Sequence, residues 1–301
     1  MKNLIFLLSL APSLFFSCAH PRDEDDLSVG KGRITVSVDE SFRPIADAQI
    51  TAYKAHYPEA EFNVIYTPEQ KAINLMLKDS SDLCIVSREL TEDEQKYFTQ
   101  RNLSYLPGQM ALDAVSLIVN KNNTRNSISV EEIERILKGE KSNTKLVFDN
   151  SSSSNLNSML HKFEITEVNK TNIFSAKGTL DVFDFVNNNN NAVGLIGLNW
   201  ISDEDDKKAM ELKNSIKVLG VESDTGIVYP TVSTIKNQDY PFVKVIYLHT
   251  TQRDWGVALG FVRFACTQIG QLVVEKMGLQ PFHLIPKRYE LNQVDPYNVV
   301  E

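Results

Sequence analysis

The stretch Gly32-Arg-Ile-Thr-Val-Ser-Val-Asp39-Glu-Ser41-Phe42-Arg-Pro44-Ile45 decides how this chain folds. It begins as a short apolar strand, and from Phe42 onward apolar residues recur three or four positions apart, which predicts a helix. Ser41 is expected to cap that helix, and Pro44 falls in its first turn, where a missing N–H costs nothing. A strand that runs directly into a helix leaves backbone N–H groups unpaired, and this favours the binding of an anion.

The composition describes an acidic globular protein with room for two domains. The chain has 301 residues, of which 42 % are hydrophobic and 23 % charged, and its formal net charge is −8. Nucleic acid is excluded as the main partner, because neutralising its phosphates requires a basic surface. A small anion is compatible with this charge, since a local group of N–H donors acts at short range against the overall sign. We expect the protein to be a monomer.

The first 31 residues are predicted to direct export and to anchor the protein. Residues 1–18 join Lys2 to an apolar run too short to span a bilayer, which is typical of a signal peptide. Cys18 follows that run and predicts a lipidated cysteine; a plain secretory signal with an incidental cysteine is the alternative. Residues 19–31 form an acidic flexible tether, similar to the export signals of surface lipoproteins in the Bacteroidetes. The sequence therefore predicts a periplasmic or cell-surface lipoprotein of a Gram-negative bacterium, held at the membrane only by its lipid.

The sequence predicts no metal site, no cofactor and no catalytic residue. Cys84 and Cys266 lie in apolar segments and are expected to be buried free thiols, although a disulfide between them stays open. No Cys and His positions have the spacing of metal ligands, and the five histidines form no arrangement with an acid or a serine. A hydrolase acting on phosphate esters is disfavoured, because it would need a metal or an activated nucleophile.

Strand and helix patterns alternate along the chain, which predicts parallel sheets with helices on both faces. Strands are expected at residues 34–38, 62–66, 82–87, 110–120, 145–149, 192–197, 216–221 and 243–248. Helices are expected just after residues 41, 67, 91, 129 and 154, over 179–186 and 203–213, and as one long helix over 255–277. These segments predict two α/β lobes joined by a two-strand hinge: residues 32–115 with 229–301 form the first, and 116–228 the second.

Three of the strand-to-helix turns carry short hydroxyl side chains. Ser41 lies at the first turn, Ser87 at the end of the third strand, and Ser151–Ser154 before a helix of the second lobe. Hydroxyl and N–H donors at helix N-termini suit a tetrahedral oxyanion, whose oxygens need donors once water is removed. Such turns lie at the carboxyl ends of parallel strands, so two sets facing across a hinge can close on a ligand. For the four serines, a flexible loop is the alternative.

In the order of these segments and in local motifs, residues 32–290 resemble the phosphate-binding proteins of ABC importers, the PstS-like branch of the periplasmic binding proteins. The likeness rests on Ser41-Phe42, Ser87-Arg88 with Leu90-Thr91, Ser127–Gly139, Ser151–Ser154 and Asn191–Gly197. It implies the two-lobe type II fold and a protein that captures inorganic phosphate or a similar oxyanion for an ABC permease. The ligand residues that the resemblance implies are Ser41, Phe42, Ser87, Ser152, Ser153 and Ser154, and we add Arg88 as a candidate on its own chemistry.

Three positions depart from the family pattern and bear on the ligand. Phe148 stands where the family has an arginine, Arg88 where it has an acidic residue, and Glu69 near where it has a serine. One interpretation makes Arg88 the cationic clamp, since a guanidinium fits two phosphate oxygens; the other pairs it with Glu89, Glu92 or Glu69 at the surface. A carboxylate at position 69 repels an anion unless it is paired or points away. A surface lipoprotein that keeps this fold as an interaction module, without transport, is therefore the second hypothesis.

Overall fold

The computed structural model of the protein describes residues 28–166, 171–223 and 226–284. The predicted signal peptide, Cys18 and residues 19–27 of the acidic tether lie outside the described residues. Within the described part of the chain, the predicted alternation of strands and helices is confirmed.

The described strands are β1 (Lys31–Asp39), β2 (Glu59–Thr67), β3 (Leu83–Val86), β4 (Gly108–Asn120), β5 (Ser127–Ser129), β6 (Lys145–Phe148), β7 (Ile173–Ser175), β8 (Ala192–Gly197), β9 (Ile216–Val218), β10 (Gly220–Ser223), β11 (Gly226–Val228), β12 (Val243–Thr250) and β13 (Gln280–Pro281). The described α-helices are α1 (Arg43–His56), α2 (Glu69–Leu77), α3 (Glu92–Gln100), α4 (Val130–Leu137), α5 (Ser154–Lys162), α6 (Thr179–Asn188), α7 (Lys207–Ser215), α8 (Val232–Lys236), α9 (Val257–Ala265) and α10 (Gln268–Lys276). Strands β5, β7, β11 and β13 are absent from the sequence-based expectations, because elements this short show no period.

A ten-stranded sheet runs through the described residues in the order β2-β1-β3-β12-β4-β8-β6-β7, and β9 and β13 also pair with β4. β1 is parallel to β2 and β3, and β6 is parallel to β7 and β8. The long strand β4 changes partner at its middle: Ala114 pairs with Val243 of β12, and Val115 pairs with Gly197 of β8. We call the half of the sheet with β1, β2, β3 and β12, with its helices, the first lobe, and the half with β6 to β9 the second lobe.

A second chain segment crosses between the lobes beside β4. The Val115 N–H donates to the Phe242 carbonyl oxygen at 2.9 Å, and the Tyr240 hydroxyl donates to the Val115 carbonyl oxygen at 2.8 Å. Between β11 and β12 this segment contains α8 and irregular chain rather than one continuous strand. Pro230 and Pro241 interrupt it, since a proline lacks the N–H that a strand ladder uses.

The residues expected to cap two of the helices are wrong. The Asp39 carboxylate, not Ser41, caps the first turn by accepting the Ser41 N–H, and Glu40–Phe42 form a 3-10 turn ahead of α1. Thr67 stays in β2, where it pairs with Asp39, so α2 begins after Pro68 without a side-chain cap. The expected caps that are confirmed are Thr91 for α3 and Ser129 for α4. In both cases Asp39, at the end of β1, contacts the residue that was expected to cap the helix: it accepts from the Ser41 N–H and pairs with Thr67 across the sheet.

The expected single helix over residues 255–277 is also wrong, because the chain bends by 60° between α9 and α10. At the bend Gly270 lies against the end of α9, where an added Cβ would come within 2.4 Å of the Phe264 carbonyl oxygen. Among the described residues no single helix is long and apolar enough to span a membrane; α9 and α10 pass that test together, by length and composition only.

The first lobe has an aromatic core between α1, α9 and the sheet. The rings of Tyr53, Phe62, Phe261 and Phe264 meet at centroid distances of 5.2 to 5.6 Å, mostly edge to face. Such contacts contribute about 0.5–1.5 kcal/mol each beyond the burial of apolar area.

Cys84 is buried and Cys266 partly buried, and both are free thiols.

Candidate functional site

The two lobes meet where β1 and β6 end. Asp39 is the last residue of β1, Asp149 follows β6, and both side chains are fully buried. The Ser41 hydroxyl donates to Asp149 Oδ2 at 2.6 Å and lies 3.4 Å from Asp39 Oδ1. Because the carboxyl ends of parallel strands gather at one edge of each half-sheet, the turns after them face each other here. One serine hydroxyl therefore connects carboxyl groups of both lobes.

Helix α5 directs its N-terminus at the first lobe. Ser153 caps the helix by accepting the Leu156 N–H at 3.3 Å. The Ser154 N–H donates to Asp39 Oδ2 at 2.9 Å. A helix N-terminus carries a partial positive charge that stabilises a nearby carboxylate. A carboxyl group of the chain itself thus takes a donor of the kind that suits an anionic ligand.

Lys244 of β12 places a buried cation in the same interface. Its side chain is 2 % exposed, and its ammonium donates to Asn155 Oδ1 at 2.6 Å and to Ser154 Oγ at 3.1 Å. The ammonium lies 3.6 Å from Asp113 Oδ2 and 4.3 Å from the centre of the Phe42 ring. A buried ammonium needs such partners, because it has lost its water. Lys244 therefore connects β12 and β4 with α5.

Two further second-lobe side chains hold Ser41 through its backbone. Asn199 Nδ2 and Trp200 Nε1 both donate to the Ser41 carbonyl oxygen, at 2.9 and 3.0 Å. Asn199 also donates to Asp113, through its N–H at 3.2 Å and its Nδ2 at 3.1 Å. Asn155 Nδ2 donates to Ser41 Oγ at 3.3 Å. The turn after β1 is thus bound by the second lobe at both its hydroxyl and its carbonyl group.

Glu69, in the first turn of α2, is a further fully buried acid that accepts hydrogen bonds from both lobes. Ser87 donates to Glu69 Oε1 through its N–H at 2.8 Å and its hydroxyl at 2.5 Å. Asn157 of α5 donates from Nδ2 to Glu69 Oε2 at 2.8 Å. The carboxylate at position 69 is therefore paired, but with neutral donors.

Glu40 meets the N-terminus of a second helix, α6. Its Oε2 accepts the Thr179 N–H at 3.2 Å and the Thr179 hydroxyl at 2.8 Å. Burial raises the pKa of Glu40, and the Thr179 hydrogen bond acts in the opposite direction. Both second-lobe helices that point at the first lobe therefore have a first-lobe carboxyl group at their N-termini.

The buried acids change the ionisation of Asp39. Burial, and then the charges of Glu69 and Asp149, raise the pKa of Asp39 to about 8, against the effects of the Ser154 hydrogen bond and of Lys244. Asp39 is therefore mostly protonated at neutral pH, which allows a second carboxyl group to lie beside the same serine.

Arg88 lies apart from the Ser41 network. Its guanidinium makes two hydrogen bonds to Glu94, at 2.8 and 2.9 Å, and further bonds to Gln70 Oε1 and the Glu89 carbonyl oxygen. Although burial opposes it, the Arg88 hydrogen bond lowers the pKa of Glu94 to about 2. The surface-pairing interpretation had other partners, Glu89, Glu92 and Glu69, and the structure has Glu94 in their place. A direct contact between Arg88 and an anion stays a prediction.

The structure brings some of the predicted ligand residues together and leaves others apart. Those around Lys244 and Asp39 are Ser41, Phe42, Ser153 and Ser154. Ser87 lies beside Glu69. Ser152 uses its N–H within its own turn, where it donates to Asn150 Oδ1 at 3.0 Å. The run Ser151–Ser154 is thus a turn and a helix start, and its hydroxyls do not act as one set.

A cavity of about 590 Å³ opens beside this network. Its lining includes Glu69, Ser87, Arg88, Asn157, Lys162 and Lys244. Lys162 is exposed, whereas Glu69 and Lys244 are buried, so the cavity leads from the surface to the interface of the lobes.

The sequence-based set of site residues lacks those that hold the lobes together, chiefly Asp39, Asp113, Asp149 and Lys244. Asp39 and Asp149 each come directly after an apolar strand, a signal that marks the ligand edge of a parallel sheet. Lys244 lies on the same face of β12 as the buried Ile246, so the alternation of that strand marks an inward-facing lysine. A charged residue inside the long apolar strand β4 is the corresponding signal for Asp113.

Fold and site together define a class of protein: two α/β lobes, joined at β4, whose donor-rich strand-to-helix turns face each other. The sequence profile of the family described as PBP superfamily domain matches residues 27–268, so the chain belongs to this family. The two-lobe fold predicted from the sequence is thereby confirmed.

Individual relatives confirm the resemblance to the PstS-like branch. Phosphate-binding protein PstS 2 of Streptococcus pneumoniae serotype 4 is 26 % identical over 108 residues, which is 36 % of this chain and 35 % of that protein. Phosphate-binding protein PstS of Staphylococcus haemolyticus is 23 % identical over 259 residues, 80 % of this chain and 77 % of that protein. A solved structure from Clostridium perfringens, a candidate phosphate ABC transporter substrate-binding protein with bound phosphate, aligns with a TM-score of 0.70 and 18 % identity. That alignment covers 84 % of this chain and 100 % of the other.

Proposed function

We propose that this protein is an extracytoplasmic solute-binding protein that closes over phosphate or a related oxyanion and presents it to an ABC importer. One observation carries the proposal: donors at the turns near Ser41, Ser87 and Ser154 face the interface of two lobes, beside a buried ammonium. An oxyanion that has lost its water needs such donors. Relatives named as phosphate-binding proteins, and a structural neighbour with bound phosphate, support this choice of ligand.

In this proposal the oxyanion takes the place of carboxyl groups of the chain. Its oxygens accept from the Ser41 hydroxyl in place of Asp149, and from the Ser154 N–H in place of Asp39. Lys244 supplies the countercharge, since it already donates to Ser154 Oγ. Movement of the lobes about β4 opens the site, and the cavity beside Lys244 leads the solute to it.

Calorimetric titration tests this function. Wild-type protein is titrated with phosphate, sulfate, molybdate and a phosphonate, and we expect saturable binding of at least one of them. Ser41→Ala should weaken binding by about 10- to 150-fold, because one hydrogen bond to a charged group is worth about 1.5–3 kcal/mol. Ser233→Ala, an exposed serine on α8, is the matched control and should leave affinity unchanged. Failure of the intact protein to bind any oxyanion would sink the proposal.

Direct ligation by Arg88 and Ser152 belongs to the same proposal. Arg88 is the more accessible of the two to test, because it lines the cavity beside Lys244. If Arg88 turns from Glu94 to the solute, Arg88→Lys keeps the charge but loses the two-bond contact, and phosphate affinity falls. An unchanged affinity in Arg88→Lys and Arg88→Ala would remove it from the site.

Anchoring and location complete the proposal. Cys18 carries the lipid that holds a monomeric, non-enzymatic protein at the membrane surface on the extracytoplasmic side, with lobe boundaries near residues 115 and 228. Metabolic labelling with an alkyne fatty acid should mark the wild type and not Cys18→Ala. Labelling of both proteins, or of neither, would contradict the anchor.

A second candidate function is an interaction module that stays closed and transports nothing. It is favoured by the carboxyl groups of the chain that already take the donors of Ser41 and Ser154. The two functions differ in what an oxyanion does. A module shows neither calorimetric heat nor a change of shape with any oxyanion, whereas a solute-binding protein shows binding.

A further inference from the structure

Three carboxyl groups of the first lobe bind donors of the second lobe in the same manner. The pairs are Asp39 with the Ser154 N–H at 2.9 Å, Glu40 with the Thr179 N–H at 3.2 Å, and Glu69 with Asn157 Nδ2 at 2.8 Å. Two of these donors belong to the first turns of α5 and α6, where backbone N–H groups favour a negatively charged partner. Carboxyl groups of the first lobe therefore accept from the second-lobe N–H donors that would also suit an anionic ligand.

Further hydrogen bonds join the lobes in the same closed arrangement, and only Asp149 Oδ1 and Asn199 Oδ1 among the described side-chain atoms of this network are buried without a partner. Ser41 donates its hydroxyl to Asp149 and accepts from Asn199 and Trp200 at its carbonyl oxygen. Buried polar groups that keep hydrogen bonds avoid the desolvation cost that an unpaired group would carry. Closure is thus supported by hydrogen bonds between protein groups of the two lobes.

We propose that the protein closes without a solute, with Asp39, Glu40 and Glu69 acting as tethered internal ligands of the second lobe. This goes beyond closure over an oxyanion, because the closed form then precedes binding, and an oxyanion must displace carboxyl groups to enter. A tethered group competes at a high effective concentration, so the affinity for a free oxyanion is lower than the donors alone would give.

The charges in the interface support this order of events. The buried or largely buried acids there are Asp39, Glu40, Glu69, Asp113 and Asp149. Lys244 is the ammonium that faces them, through Asp113. An incoming anion is repelled by each acid that stays ionised, and this repulsion is strong where water is excluded. Removal of the three tethered carboxyl groups should therefore help an oxyanion rather than harm it.

The shape of the ligand-free protein is the first test. Of the two tryptophans, Trp200 is 4 % exposed at the lobe interface and Trp255 is 55 % exposed. In a Trp255→Phe background the emission reports Trp200 alone, and small-angle scattering reports the separation of the lobes. We expect blue-shifted emission and a compact particle without phosphate. The proposal would be overturned if the ligand-free wild type is open by scattering and closes when phosphate is added. This test requires no variant at the lobe interface.

The second test removes the internal ligands. The combined variant Asp39→Ala, Glu40→Ala and Glu69→Ala should shift Trp200 emission to the red, enlarge the particle and bind phosphate about tenfold more tightly or better, since like charge near the anion is lost. The control Glu92→Ala, Asp93→Ala and Glu211→Ala removes the same number of carboxyl groups from exposed positions. A triple variant that stays closed would contradict self-closure, and so would measurable phosphate binding by both proteins with the same affinity. If neither protein binds phosphate but the variant still opens, self-closure stands and the proposed solute fails.

Discussion

Replacing Lys244 with methionine removes the buried cation of the lobe interface while keeping an unbranched apolar stem. The ammonium loses its bonds to Asn155 and Ser154 and its ion pair with Asp113 at 3.6 Å. The lysine side chain is only 2 % exposed, so the variant removes a charge that is buried in the folded protein. The variant therefore tests how much of the stability of the closed protein depends on one charge.

The structure sets the size of the effect. Removing one member of a buried ion pair costs about 3–5 kcal/mol, because the remaining charge is left uncompensated. The contact of the ammonium with the Phe42 ring, at 4.3 Å, is lost as well. Asp113 limits the cost by taking up a proton, since burial already raises its pKa. We expect Lys244→Met to lower the free energy of unfolding by about 3–5 kcal/mol near neutral pH and by less in mild acid.

Urea denaturation followed by circular dichroism measures this change. Lys96→Met is the matched control: Lys96 is an exposed lysine paired with Asp93, and its loss should change stability by about 0.5 kcal/mol or less. Adding Asp113→Asn to Lys244→Met isolates the contribution of the Lys244–Asp113 ion pair. The double variant should lose less stability than the two single variants do in sum. A Lys244→Met protein as stable as the wild type, or a double variant whose losses simply add, would refute the reasoning.

Three further predictions follow from the same structure. Raising the pH from about 6.5 to about 8 should lower stability, because folded Asp39 keeps its proton up to a pKa of about 8 while the unfolded chain has already released it; below this window buried His249, whose pKa burial lowers to about 4, acts in the opposite direction. Melts at several pH values should show this slope and its loss in Asp39→Asn; an unchanged slope would count against it. Gly194→Ala places a Cβ 2.6 Å from Val182 Cγ1 and should cost about 1–3 kcal/mol in thermal denaturation. Arg88→Ala breaks the contact with Glu94 at the start of α3, so amide exchange should quicken in that helix; exchange that is unchanged there would contradict its anchoring role.

The alternation of strands and helices can be predicted from this sequence, because the spacing of apolar residues shows which side of each element is buried. The turn after β1 shows this well. The apolar period changes from strand to helix between Asp39 and Phe42, and the structure makes that change at the same place. Local caps that involve only neighbours, such as Thr91 with Glu94, are equally readable. The class of fold follows from these local signals.

The contacts of the site are less readable, since they depend on which turns face each other. Asp39 and Ser154 are 115 positions apart, and Lys244 meets Asn155 across 89. No spacing rule joins residues so far apart along the chain. The sequence therefore indicates that Ser41 and Ser154 supply donors at strand-to-helix turns, but not that acids of the opposite lobe accept from them.

Arg88 has a local partner that the sequence analysis did not name. The guanidinium of a turn residue suits a phosphate, which made a ligand contact attractive. In the structure Glu94, six positions along the chain, accepts from both Nη1 and Nη2 of the guanidinium while also capping α3. Short sequence separation makes such a pair easy to form, so the local partner has the advantage.

The most direct test of the central claim is a crystal structure determined after co-crystallisation with phosphate. The account predicts electron density for one phosphate between the turns, accepting from Ser41 Oγ and the Ser154 N–H, with Asp39 and Asp149 turned away from those donors. A structure in which Asp39 still accepts from Ser154, and Asp149 from Ser41, with phosphate bound elsewhere or nowhere, would contradict it.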